Sequence, residues 1–257
     1  MTADEGGADR LTRDAFLGGR LHIWQPARGY RAGLDPVLLA AAVPALPGQS
    51  VLELGCGAGV AALCLARRVP GLRLAGLERQ PAYADLARRN GTENAIDWEV
   101  IAGDLVAMPA GLRARRFDHV IANPPYFDRA RRTPAGDPGR EAALAEATPL
   151  ALWVEAAARR CAPGGHVSLI HAAERLPELL AHAARHLGSI EVLPLVPRRG
   201  RAARRVLLRA RKGGRAVFRL HDGWLLHEGA AHDGDRENYT PATASVLREG
   251  AALCFPA

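Results

Sequence analysis

The chain has 257 residues, 48% of them hydrophobic, which suffices for one substantial core and an appendage. Its net charge of +7 is carried almost entirely by arginine, with Lys212 the only lysine, and points to an anionic partner such as nucleic acid. Four scattered cysteines without a C-x-x-C spacing argue against a zinc site or a disulfide framework, and no apolar run approaches the roughly 20 residues that span a bilayer. The acidic, small-residue start is unlike a signal peptide, so a soluble cytoplasmic protein without membrane or metal is expected. The cysteines (Cys56, Cys64, Cys161, Cys254) are read as buried thiols.

Residues 1–12 are rich in Gly, Ala and Asp and predict a disordered N-terminus, with residues 13–257 forming a single domain. The alternation in Asp14 to Pro26 predicts a short hairpin. Asp35 suits an N-cap and Pro36 a first helical position, opening a helix to Val43. From Ser50 the pattern alternates strand and helix. Strands are expected over 51–54, 72–77, 98–102, 117–122 and 166–171, with helices to about Val69 and over 81–90, 150–161 and 176–186. Two further strands, 190–196 and 205–210, are read as antiparallel. The segment 129–149 is a long polar, arginine-rich loop on the substrate side. The C-terminal part, 213–257, is read as a hairpin over 215–226 and a last helix over 240–253. This order predicts a mostly parallel, seven-stranded sheet with helices on both faces, binding its ligand at the carboxyl ends of the strands.

Four motifs fall at those strand ends. The first is Glu53-Leu54-Gly55-Cys56-Gly57-Ala58-Gly59, a strand running through a glycine turn into a helix. Its G-x-G-x-G spacing and leading carboxylate are not those of a dinucleotide site. They suit a ligand carrying an ammonium, as S-adenosylmethionine (SAM) does. The second is Glu78, about 20 residues on and one strand over, placed to accept from both hydroxyls of a ribose. In the third, Asp104 is suited to accept from an adenine amine while Leu105 packs the ring. The fourth is Asn123-Pro124-Pro125-Tyr126. Two prolines stiffen this turn, the Asn123 amide oxygen and Pro124 carbonyl are suited to accept both hydrogens of a planar NH2, and the Tyr126 ring is expected to stack on the substrate.

These motifs resemble those of class I, Rossmann-like SAM-dependent methyltransferases of the amino-methylating branch, where Asn-Pro-Pro-Tyr is the catalytic tetrapeptide. Over almost its full length the chain is most similar to bacterial tRNA1(Val) (adenine-37-N6)-methyltransferases. The more specific parts are Tyr30-Arg31-Ala32-Gly33-Leu34-Asp35-Pro36, Arg204-Arg205-Val206-Leu207-Leu208 and Arg236-Glu237-Asn238-Tyr239-Thr240. The resemblance implies SAM as cofactor, methyl transfer to N6 of a tRNA adenine, and a place for Gly33 and Asp35 near the methionyl end of the cofactor, with Asn123 bordering it. Glu53 stands where many members carry Asp. The competing reading, N5-methylation of glutamine in peptide release factors, uses the same tetrapeptide but usually goes with a sizeable N-terminal helical domain.

For a tRNA substrate, the target base leaves its stack and enters the pocket. Arg129, Arg131, Arg132, Arg198, Arg199, Arg201, Arg204 and Arg205 are the candidate RNA contacts. Trp24 and Tyr30 are assigned to the core rather than to base stacking. Monomer and homodimer both remain open.

Overall fold

The computed structural model describes residues 10–126, 148–229 and 238–256. An antiparallel hairpin, β1 (Leu11–Phe16) and β2 (Leu21–Pro26), precedes the main sheet, so Leu11 and Thr12 belong to a strand and not to a disordered N-terminus. In β2, Leu21, Ile23 and Gln25 are buried while their neighbours are not, as the alternation requires. The outer edge of β2 is paired by a helix. Asn90 accepts from the Trp24 amide at 2.8 Å and donates to the Trp24 carbonyl at 3.0 Å. Asn94 does the same for His22, at 2.9 and 2.7 Å. Residues four apart on a helix face thus match residues two apart on a strand. The two side-chain amides satisfy an edge that would otherwise be open.

The main sheet contains β3 (Ser50–Leu54), β4 (Arg73–Glu78), β5 (Glu99–Ala102), β6 (Phe117–Ala122), β7 (Cys161–Ala172), β8 (Gly188–Val196) and β9 (Arg205–Arg211), ordered β5-β4-β3-β6-β7-β9-β8. The first five are parallel; β9 is antiparallel to both its neighbours, as expected. Two short strands, β10 (Arg219–Leu220) and β11 (Trp224–Leu225), make nine. The expected hairpin over 215–226 does not form, because both short strands lie parallel along the free edge of β8 and do not pair with each other.

Helix α1 (Leu34–Ala42) packs with α2 (Val60–Arg68) over one face of the sheet. Next come α3 (Pro81–Glu93), which carries the two asparagines, and α4 (Ala110–Arg113). On the other face α5 (Leu150–Arg160) packs with α6 (Leu176–His186). Strand alternation feeds both cores: Val51 of β3 enters one, Leu52 and Leu54 the other. Helix α1 is capped by Gly33, not by Asp35, whose side chain is engaged elsewhere. Pro163-Gly164-Gly165, ahead of the strand expected from His166, forms a bulge inside β7. There the pairing shifts between Phe117 and His119, and a Cβ on Gly165 would lie 2.6 Å from the Asp118 carbonyl oxygen. The last helix is shorter than expected: α7 (Pro241–Ala244) runs into one π turn that ends at Gly250, in the left-handed region.

Candidate active site

The register sets Leu54, Glu78, Ala102 and Ala122 along one edge of the sheet, where the four motifs meet. A cleft of about 210 Å³ opens there. Of the expected cofactor residues, Glu53, Gly55, Gly57 and Glu78 line it, as do Asp104 and Leu105; Asn123 and Pro125 line its other side. Gly59 lies one step beyond, as the N-cap of α2.

The first turn after β3 admits only glycine at Gly55. Its φ is +63°, and a Cβ there would lie 2.4 Å from the Trp153 ring. Glu53 is 3% exposed, and its Oε2 accepts from the Ala62 amide at 2.8 Å. Burial pushes its carboxyl up to about 8; the Ala62 hydrogen bond opposes this and the charge of Glu78 adds to it. Glu78 accepts from the Gly57 amide and from the Gln80 amide, each at 2.9 Å. Two buried carboxyls therefore flank the glycine turn, and among the described residues no cationic side chain is bonded to either. That donor set fits a cationic ligand carrying an ammonium and hydroxyls, as SAM does. Asp104 Oδ1 accepts from the Val106 amide at 2.7 Å, with Leu105 half-buried beside it.

Across the cleft, Asn123 and Pro124 directly follow β6, with Pro124 buried. The Asn123 amide nitrogen lies 3.4 Å from Tyr30 Oη and its oxygen 2.9 Å from Tyr126 Oη. Tyr126 Oη donates to Asp35 Oδ2 at 2.6 Å, and Arg205 Nε donates to the same oxygen at 3.1 Å. The Arg205 guanidinium sits 4.5 Å over the Tyr126 ring, and His171 meets that ring at 65°, centroid to centroid 5.1 Å. Burial, then the charge of Asp35, raises the Tyr126 hydroxyl far above the ordinary phenol value, so it keeps its proton.

Several expectations change here. The Tyr126 ring is covered by Arg205, so it is not an open stacking face. Arg205 is held in an ion pair with Asp35, not offered to RNA. Asp35 is bonded to Tyr126 and Arg205, and neither it nor Gly33 lines the cleft; Ala32 and Pro36 do. Arg198 donates to the carbonyls of Glu228 and Gly229 and so anchors the tail. Arg199, Arg201 and Arg204 are exposed in the loop before β9, which opens opposite Ala172, the last residue of β7, at the same strand-end edge. Arg129, Arg131 and Arg132 lie outside the described residues. Tyr30 is 58% exposed and lines the cleft, against its assignment to the core. Trp24 is half-buried, its ring covered by Arg89 at 4.0 Å. Cys56, Cys64 and Cys161 are buried, whereas Cys254 is exposed.

Among the cleft residues that the sequence did not single out are Trp153 and Gln25. Trp153, at the wall of the glycine turn, reads in sequence as an ordinary apolar position of α5. Gln25 is 2% exposed and ties Asp14 to the Ala32 amide, both at 2.8 Å; an amide in an alternating strand gives no signal of that. Among the described residues, no group of His, Cys, Asp and Glu is arranged to hold a metal, and no helix is long and apolar enough to cross a membrane.

Residues 33–136 match the family model described as methyltransferase small domain. The tRNA1(Val) (adenine(37)-N6)-methyltransferase of Porphyromonas gingivalis is 32% identical over 183 residues, covering 68% of this chain and 71% of that one. Its counterpart in Actinobacillus succinogenes is 31% identical over 201 residues, 76% of this chain and 82% of that one. Among solved structures, a predicted O-methyltransferase from Agrobacterium tumefaciens superposes with a TM-score of 0.70 at 27% identity, over 87% of this chain and all (100%) of that one. The T. thermophilus 16S rRNA N2 G1207 methyltransferase, in complex with AdoMet and guanosine, shares the fold (TM-score 0.56, 23% identity, 79% of this chain and 50% of that one). The strand order, the glycine turn between two buried carboxyls and the relatives matched over 71% and 82% of their own length agree: this chain is a SAM-dependent methyltransferase with a class I, Rossmann-like fold, and it belongs to the tRNA1(Val) (adenine(37)-N6)-methyltransferase family.

Proposed function

We propose that this enzyme methylates the exocyclic N6 of an adenine in tRNA, at position 37 beside the anticodon, in the cytoplasm. The observation that carries the reading is the placement of Asn123 and Pro125 on the same cleft as Glu53, Glu78 and Asp104. In this reading Glu53 holds the ammonium of SAM, Glu78 the ribose hydroxyls, and Asp104 with Leu105 the adenine moiety. Bound SAM supplies an electrophilic methyl group. The Asn123 amide oxygen and the Pro124 carbonyl would accept the two N6 hydrogens and free the nitrogen lone pair for the methyl carbon; as the new N–C bond forms, the methyl–sulfur bond breaks and its electron pair leaves with S-adenosylhomocysteine. The methylated nitrogen then loses its extra proton to solvent, so no general base is required. Preorganised acceptors of this kind supply about 10²–10³ in rate.

Arg199, Arg201 and Arg204 contact the RNA backbone from the exposed loop at this edge. Residues 13–257 act as one domain; of the segment expected on the substrate side, residues 129–147 lie outside the described residues, and Thr148 lines the cleft. The test is incubation with labelled SAM and, separately, unmodified tRNA and peptide release factors, followed by nucleoside analysis. The expected product is N6-methyladenosine in tRNA. Label in release factor alone would reject the reading.

A further inference from the structure

Four side chains from three separate stretches of chain surround Asn123: Tyr126, Asp35 and Arg205 on one side and Tyr30 on the other. Tyr126 Oη has two neighbours, Asp35 Oδ2 at 2.6 Å and the Asn123 amide at 2.9 Å, but only one proton to give. If that proton pointed at Asn123, the bare phenol oxygen would face a carboxylate at 2.6 Å with nothing between them. The proton therefore belongs to Asp35, and the charge-assisted bond is the stronger of the two. Arg205, bonded to the same Oδ2, keeps the carboxylate in place.

With its proton committed, Tyr126 Oη is an acceptor on its Asn123 side. An amide oxygen turned toward it would set two acceptors 2.9 Å apart. A half-turn about the last Asn123 torsion exchanges oxygen and NH2 at almost unchanged shape. The NH2 then donates to Tyr126, and the oxygen faces the cleft beside Tyr30 Oη, which is 3.4 Å from that end of the amide. We propose that Asp35 is a positioning residue for methyl transfer: by taking the Tyr126 proton it fixes the Asn123 amide with its oxygen toward the acceptor amine. Before substrate enters, the Tyr30 hydroxyl donates to that oxygen; the substrate amine replaces it.

This inference rests on the reading of Asn123 as the acceptor of the amine. In Asp35→Asn the new carboxamide can donate to Tyr126, whose proton is then free to turn the Asn123 oxygen inward. Tyr126→Phe removes the relay but keeps the ring under Arg205. Each variant should lower kcat roughly 10-fold, the worth of one oriented hydrogen bond, with the Kd for SAM unchanged within about twofold. The double variant should be no slower than Tyr126→Phe alone, because Asp35 acts only through the hydroxyl. The inference is overturned if Asp35→Asn slows the enzyme as much in the Phe background as in the wild type, or if it weakens SAM binding as much as it slows turnover. Should Asp35→Asn not fold, Tyr126→Phe decides by itself, and an unchanged kcat overturns the inference. An active Asn123→Ala enzyme would overturn the underlying reading as well. An inactive Asn123→Ala beside a fully active Asp35→Asn would overturn only the role of Asp35.

Discussion

On the cofactor side of the cleft, each carboxyl is bonded within a short stretch of chain. Glu53 is held by Ala62, nine residues away, and Glu78 by Gln80, two residues away, with one crossing to Gly57 on the adjacent turn. On the acceptor side the bonds cross the molecule. Tyr126 reaches Asp35 over 91 residues, Asn123 approaches Tyr30 over 93, and Arg205 meets Asp35 over 170. One half is built on the strand–turn–helix unit of β3 and α2 with the end of β4 beside it. The other exists only when α1, the end of β6 and the start of β9 are packed together. Cofactor binding and catalysis should therefore separate under mutation.

The largest separation is expected from Asn123→Ala, which should lose about 10²–10³ in kcat while binding SAM with wild-type affinity in calorimetry. Equal losses in both would show the two halves to be one unit. Glu53→Gln should do the converse, weakening SAM about 10-fold while leaving the acceptor groups in place. The free Glu53 carboxyl, raised to about 8, is mostly protonated near pH 7, and a bound ammonium favours its ionised form. SAM binding near pH 7 should then release close to one proton, read from calorimetry in buffers of different ionisation enthalpy, and Glu53→Gln should release none. Gly55→Ala tests how stiff the cofactor half is. The Trp153 ring leaves no room for the methyl group, so SAM binding should be lost and stability should fall by about 1–3 kcal/mol in denaturant titration.

Acid should destabilise the fold through two buried histidines, of which His171 touches the acceptor half and His119 lies farther back in β6 against Gln49. Burial holds His119, inside β6, and His171, against Tyr126, down to about 4 each. The unfolded chain takes up these protons first, so this contribution to stability is complete above roughly pH 6.5 and is lost as the pH falls toward about 4. The fall in Tm over that range should shrink in His119→Gln; an unchanged fall would exclude this origin. The smallest effect is expected from Arg199→Ala, a few-fold rise in the KM for tRNA that disappears at high salt, with kcat unchanged.

The motifs at 53–59, 78, 104–105 and 123–126 were legible because each depends on chain-local geometry: a strand end, a positive φ, a carboxylate fixed a few residues away. The hairpin, the seven long strands and the antiparallel pair at the end were legible from alternation for the same reason. The pairing of β2 with Asn90 and Asn94 was not, because an asparagine in a helix gives no sign that it faces the edge of a strand. Nor were β10 and β11, two-residue strands whose pairing is set by the free edge of β8 and not by their own turn.

The order of residues by itself determined the fold, the cofactor and the kind of group that accepts the methyl, since all three are written in local patterns at successive strand ends. Tertiary structure alone decided what the acceptor side is made of. It turned Tyr126 from a stacking surface into a hydrogen-bonding relay, took Arg205 from RNA to Asp35, and brought Tyr30 out of the core to the cleft. The physical reason is the single proton of a phenol. Which neighbour receives it depends on a carboxylate 91 residues away, and only packing brings that carboxylate within 2.6 Å.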